Sequence, residues 1–210
     1  MKKSLSYLLY LCSFLFIACS DDSSEMKLQY DQQAFLTNIG QNIITPRYES
    51  LQSKLADLET KANTFSTTPS TSELQSLKSS FLTAYEQFQS CAMFDFGPAE
   101  GSENLNRFNI YPINATTIES NISSGSYDLE SANQIDTKGF PAIDYLLYHS
   151  DEATIVNEFA TENRKTYLKD IVADLKKEVE RITNEWKSSY TNSFIGNTGN
   201  SAGSSVALLI

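Results

Sequence analysis

The fold of this chain is decided by the stretch Thr137-Lys138-Gly139-Phe140-Pro141-Ala142-Ile143-Asp144-Tyr145-Leu146-Leu147-Tyr148. Pro141 fixes its own φ angle and has no N–H to donate, so it suits the first turn of a helix. The apolar run therefore predicts a buried helix that begins near Phe140. Asp144 would lie one turn inside this helix among large apolar neighbours. A carboxylate there must be paired, bound to a ligand or able to reach water.

Three longer segments carry apolar residues at steps of three to five, which is typical of helices with one buried face. They span about residues 31–63, 70–91 and 162–190. Pro46 should kink or split the first segment, and Ser70 with Glu73 predicts a capping box at the start of the second. Together these segments predict an all-α fold, an up-and-down helical bundle.

The remaining parts of the chain have little periodicity. Gly97-Pro98 should end the second helix. Asn114 is a candidate N-cap for a short helix over residues 115–122 inside the irregular region 100–138. Residues 191–205 are rich in Ser, Asn and Gly and predict a linker. The apolar residues 206–210 then predict the start of a further, truncated helix.

The N-terminus predicts export and lipid attachment. Lys2 and Lys3 precede an apolar segment that is shorter than a membrane-spanning helix, so residues 1–18 predict a signal peptide. The segment ends in Phe16-Ile17-Ala18-Cys19, which resembles a bacterial lipobox with Cys19 as the lipidated residue. An ordinary cleaved signal with an incidental cysteine is the alternative. Residues 19–30 would then form a lipid-anchored tether, and the protein would lie in the bacterial cell envelope, at the periplasmic or surface face of the outer membrane.

Cysteine content and net charge exclude several classes of function. After removal of the signal and lipidation of Cys19, Cys91 is the remaining cysteine, which leaves no disulfide and no thiol cluster for zinc. Cys91 falls on the buried face of its helix and is interpreted as a core residue rather than a nucleophile. The net charge of −10 argues against nucleic acid as a partner and is compatible with cations, or with a solubilising surface alone.

The stretch over residues 137–148 resembles the signature of the imelysin family, Gly-x-His-x-x-Glu followed by Tyr-Leu-Leu. Gly139 and the run Tyr145-Leu146-Leu147 match it. Pro141 stands in place of the histidine and Asp144 in place of the glutamate. The part of the motif that would bind metal or perform chemistry is therefore the part that differs.

A second segment, Phe96-Gly97-Pro98, resembles the turn that ends an aromatic-rich helix in this family. Many members carry a glutamate shortly before that turn, and Ala92 takes its place here. The resemblance implies a two-lobed helical protein with its site between the lobes, of which this chain would be an N-terminal portion, with residues 31–190 as the imelysin-like domain.

The family includes insulin-cleaving peptidases and iron-uptake proteins, so the resemblance implies a divalent metal, iron or zinc. Asp144, together with Asp95 or Glu100, supplies the oxygen donors that hard cations prefer. A zinc peptidase needs about three protein ligands and a general base, whereas His149 is the single histidine of the chain. It lies five residues beyond Asp144, about 140° away around one helix.

The sequence thus favours an envelope lipoprotein that binds a metal or another ligand in iron uptake. The alternative is a helical scaffold that has lost the family site, and an active peptidase is disfavoured. The expected partners are the membrane, through lipid on Cys19, and a metal or an envelope protein.

Overall fold

The computed structural model describes residues 30–100 and 104–210, with the main chain alone for residues 104–106. The predictions for the signal peptide, for Cys19 and for nearly all of the tether lie outside these residues. Within them there is no β-strand, which confirms the all-α prediction. None of the helices seen in this part of the chain combines the length and apolar character needed to cross a bilayer.

Residues 32–210 form one compact unit. Its α-helices, in chain order, are α1 Gln32–Thr37, α2 Thr45–Thr67, α3 Thr71–Cys91, α4 Asn104–Asn109, α5 Ala115–Ser124, α6 Gly139–Tyr148, α7 Glu152–Glu158, α8 Glu162–Glu185 and α9 Thr191–Gly196. Two π-helical segments, Asn38–Ile44 and Trp186–Tyr190, adjoin α-helices, and short 3-10 turns occur at Gly97–Ala99, Ala132–Thr137 and Ala207–Leu209.

The centre of the unit is made by its long helices, since α2 packs against both α3 and α8. The connection between α2 and α3 is so short that the two helices form a hairpin. Half of the predicted capping box is present at the start of α3, because the Ser70 side chain accepts a hydrogen bond from the backbone N–H of Glu73. Asn114 caps α5 in the same way, through the N–H of Thr117.

Pro46 lies where the first helical segment changes from a π-helix to the α-helix α2. The chain passes from α1 through the π-helical residues Asn38–Ile44 into α2, where Pro46 occupies the first turn. The backbone N–H of Thr45 bonds to the carbonyl of Gly40, five residues back. A change of hydrogen-bond register of this kind accommodates a proline, which has no N–H of its own to donate.

The linker expected from residue 191 onward is helical over Thr191–Gly196. Phe194 explains the difference, because its side chain is 1 % exposed and its ring centroid lies 5.4 Å from that of Trp186 and 5.8 Å from that of Phe96. One buried aromatic residue therefore fixes a helical turn that the polar composition of its neighbours does not predict.

Helix α6, the predicted central helix, packs against α4, α7 and α8. Its approach is fixed by the hydroxyl of Tyr167, which donates to the carbonyl of Thr137 at 2.6 Å, and by the ammonium group of Lys138, which donates to the carbonyl of Leu129. Both Thr137 and Lys138 are buried. The preceding segment thus holds the start of α6 rigidly against the bundle.

Candidate functional site

The first residue of α6, Gly139, is held against the end of α4. Its φ angle is +81°, and a Cβ atom at this position would lie 2.7 Å from the carbonyl oxygens of Arg107 and Phe108. Only glycine combines this backbone conformation with so close an approach. The glycine of the motif therefore has a structural function here, which is to place α6 directly against α4.

Asp144 lies on the exposed side of α6 and opens into a cavity of about 320 Å³. We call this cavity the Asp144 pocket, and its lining residues are Phe81, Tyr85, Asn109, Tyr111, Phe140, Pro141 and Asp144. The carboxylate of Asp144 forms no hydrogen bond or ion pair with any residue in the described part of the chain. Partial burial raises the pKa of its carboxyl group. The sequence requires this carboxylate to be paired, bound to a ligand or able to reach water, and in the structure it is exposed to water.

Aromatic rings of α3 and α6 form the inner side of the pocket. The ring centroid of Phe140 lies 5.2 Å from that of Tyr85 and 6.2 Å from that of Phe81. The hydroxyl of Tyr85 donates to Oδ1 of Asn109 at 3.1 Å, which ties α3 to the end of α4. Tyr111 is 85 % exposed at the rim. The pocket therefore combines apolar walls with one uncompensated carboxylate.

Asp95 and Glu100, the other predicted metal ligands, flank the turn that follows α3 and are exposed. Burial, and then the charge of Glu100, raise the pKa of Asp95. Asp95 borders a narrow crevice with Ala92 and Cys91, and Asp144 is absent from that lining. Over residues 30–100 and 104–210, no group of three or more His, Cys, Asp or Glu residues could hold a metal ion. Asp144, Asp95 and Glu100 therefore do not form a three-ligand group within the described residues, although Asp95 and Glu100 are close enough for their charges to interact.

The Gly97-Pro98 pair also has a structural function. Gly97 has φ +58°, and a Cβ atom there would lie 2.1 Å from Cζ of Tyr190. The carbonyl of Pro98 accepts a hydrogen bond from Arg181 at 2.9 Å, which joins the turn to α8. This turn begins a 3-10 segment after α3 has ended at Cys91.

His149 and Cys91 have chemically reactive side chains, but neither residue lines the Asp144 pocket. His149 ends α6, with Nδ1 2.9 Å from the carbonyl oxygen of Tyr145 and Nε2 3.0 Å from Oε2 of Glu158. It is absent from the lining of the Asp144 pocket. Cys91 is 1 % exposed, and burial raises the pKa of its thiol to about 11. The interpretation of Cys91 as a core residue is consistent with both values.

The aromatic and amide residues of the pocket are not recognisable as site residues from the sequence pattern. Tyr85 and Phe81 belong to the apolar stripe of α3, so the pattern assigns them to the core. Asn109 is the last residue of α4 and Tyr111 follows it, in a region where no periodicity of the sequence indicates which way a side chain points. The available signal was an aromatic residue beside a proline, Tyr111-Pro112, in a long segment without periodicity.

The family model of imelysin matches residues 44–209 of this chain. Iron-regulated protein A of Synechococcus elongatus is 22 % identical over 160 residues, which cover 74 % of this chain and 42 % of the relative.

Two solved structures share the fold. One, from Parabacteroides distasonis and described as an iron-regulated protein A precursor, has a TM-score of 0.71 at 16 % identity over 85 % of this chain and 54 % of its own. An imelysin-like protein of Psychrobacter arcticum has a TM-score of 0.68 at 20 % identity over 85 % of this chain and 57 % of its own. The chain thus spans about half the length of these relatives. Since the family model covers most of its residues, the chain belongs to the imelysin family.

Proposed function

We propose that this chain is a lipid-anchored protein of the bacterial envelope that binds a small ligand in the Asp144 pocket as part of iron uptake. The observation that carries the proposal is the position of the pocket, which opens beside the two altered residues of the family motif, Pro141 and Asp144. A carboxylate without a hydrogen-bond or ion-pair partner in the described structure is suited to a ligand rather than to the fold.

Two further observations support a place in iron uptake. The names of the matched relatives from Synechococcus elongatus and Parabacteroides distasonis describe iron-regulated proteins. The lipobox ending at Cys19 would hold the protein at the envelope, where iron is taken up.

Peptidase activity is disfavoured for a chemical reason. Hydrolysis of a peptide bond by a zinc enzyme needs about three protein ligands and a general base. Pro141 replaces the motif histidine, and His149 is paired with Glu158. The described residues also lack a metal-binding cluster of three His, Cys, Asp or Glu side chains.

A scaffold without a ligand is the second candidate. It is favoured by the structural functions of Gly139 and Gly97, because both conserve the shape of the bundle independently of any ligand. The two candidates differ over Asp144, because a ligand-binding protein needs this residue and a scaffold does not.

The test is growth of a deletion strain in medium with an iron chelator. The proposal expects the strain to grow poorly, and expects the wild-type gene and a Glu86→Gln variant to restore growth while Asp144→Asn does not. Glu86 is an exposed residue of α3 that is absent from the pocket lining, so it controls for the loss of one charge. Restoration by Asp144→Asn would favour the scaffold, and normal growth of the deletion strain would refute a function in iron uptake.

Lipid attachment has its own test. Metabolic labelling with a radioactive fatty acid should mark the wild-type protein and leave a Cys19→Ser variant unlabelled. Equal labelling of both proteins, or absence of label from the wild-type protein, would contradict the anchoring part of the proposal.

A further inference from the structure

We infer that the Asp144 pocket binds an organic cation, an ammonium group that carries apolar substituents. This inference rests on the proposed function in one respect, since it names the chemical class of the ligand for the same pocket. The charge, the aromatic lining and the size of the pocket support it.

The charge of the pocket comes from Asp144. Asp144 is the one residue of the lining that carries a formal charge at neutral pH. No cationic side chain of the described ranges pairs with it. A carboxylate at the edge of an apolar cavity has lost part of its hydration, so a cation that enters the cavity recovers electrostatic energy there.

The aromatic lining favours an organic rather than a strongly hydrated inorganic cation. Rings of phenylalanine and tyrosine attract ammonium groups through their negatively charged faces. The lining of the pocket includes the half-buried Tyr85 and the exposed Tyr111, together with Phe81 and Phe140, which are buried. Alkyl substituents on the ligand would pack against these rings, and the nitrogen charge would lie near Asp144.

The chain itself provides an example of this recognition next to the pocket. The ring of Tyr148, one turn after Asp144 on α6, lies 6.1 Å from that of Phe81. The ammonium nitrogen of Lys78 lies 4.6 Å from the Tyr148 ring centroid and 3.3 Å from a carboxylate oxygen of Glu152. An aromatic ring together with a carboxylate thus already binds one alkylammonium group on this surface.

Other classes of ligand fit the pocket less well. An anion would be repelled by Asp144, and a neutral apolar molecule would bury that carboxylate without compensation. A bare metal ion would find one carboxylate in the pocket where hard cations take about six oxygen ligands. The volume of about 320 Å³ is at the lower end of the range for small-molecule sites, about 300–1,000 Å³.

The experiment is calorimetric titration of the full chain, purified in detergent, with choline and with 3,3-dimethyl-1-butanol. The two compounds have nearly the same shape, but the second has carbon in place of the charged nitrogen. The inference expects choline to bind at least about tenfold more tightly than the neutral compound. Asp144→Asn should reduce this preference, Tyr111→Leu should weaken choline binding, and Glu86→Gln should change neither.

Three outcomes would overturn the inference: no binding of choline, equal binding of the two compounds, or an undiminished preference in Asp144→Asn. Vesicles of phosphatidylcholine, compared with vesicles of phosphatidylglycerol, distinguish two sources of the ammonium group. Competition by phosphatidylcholine alone would assign a lipid headgroup, and an absence of competition would assign a free small molecule. Because binding is measured on the purified protein, choline preference combined with normal growth of the deletion strain would refute iron uptake and retain the inference.

Discussion

Gly139 approaches Phe108 so closely that a Cβ atom on residue 139 would lie 2.7 Å from the Phe108 carbonyl oxygen. This contact joins the first residue of α6 to α4, and α4 ends at Asn109, which lines the Asp144 pocket. The family motif in this chain therefore separates into two parts. Gly139 shapes the bundle, whereas Pro141 and Asp144 line the pocket.

A Gly139→Ala variant is expected to lose about 1–3 kcal/mol of unfolding free energy, because alanine is strained at φ +81° and its methyl group would meet two backbone carbonyls. Urea unfolding followed by circular dichroism measures the change. Gly196→Ala is the matched control, since a Cβ atom at Gly196 meets nothing within 4 Å. Equal stability of the two variants would show that the contact with α4 does not constrain α6.

The helices of this bundle were predictable because their signals are local. Apolar spacing located the long helices, and the side chains of Ser70 and Asn114 form the caps that their positions indicate. Gly139 was predictable as a helix start, although its contact with α4 was not, because residues about thirty positions apart in sequence make it.

The pocket could not be derived from the sequence, because its lining depends on tertiary packing. Asp144 was identified from its isolation in an apolar run, but Asn109 and Tyr111 join it from a segment without periodicity. The relation between the predicted metal ligands has the same limit, because spacing along the chain does not reveal that Asp95 borders one cavity and Asp144 another.

The C-terminal helix α9 provides a second stability test. Phe194→Ala should cost about 3–5 kcal/mol of unfolding free energy, because the ring is buried against Trp186 and Phe96. Leu208→Ala, at a side chain that is 37 % exposed, should cost much less. If urea unfolding gave the two variants the same stability, residues 191–196 would behave as the linker that their composition predicts.

The stability of the folded protein should depend on pH in the acid range through Glu130. Hydrogen bonds from Arg107 and then Lys177 lower the pKa of its carboxyl group from 4.5 to about 2. A pKa lowered by folding stabilises the protein above the unfolded value, and that contribution is lost as the pH falls from about 4.5 toward 2. Glu130→Gln should therefore be less stable than the wild type at pH 7, and the two should converge in acid.

The size of this difference should be modest, within about 1 kcal/mol, because the Glu130 side chain is 54 % exposed and solvent screens its ion pairs. Urea unfolding at a series of pH values measures it, and added salt should reduce it at pH 7. A difference that stayed constant from neutral to strongly acid pH would rule out the assigned ion pairs as its source.

The central claim is that Asp144 is held for a ligand and is not required by the fold. The most direct measurement is the unfolding free energy of Asp144→Ala beside the wild type in urea at neutral pH, without ligand. We predict that the unfolding free energy changes by no more than about 0.5 kcal/mol. The reason is that the Asp144 carboxylate forms no hydrogen bond or ion pair in the described structure, and that burial raises the pKa of this group. A loss of about 2 kcal/mol or more would contradict the account and make Asp144 a structural residue.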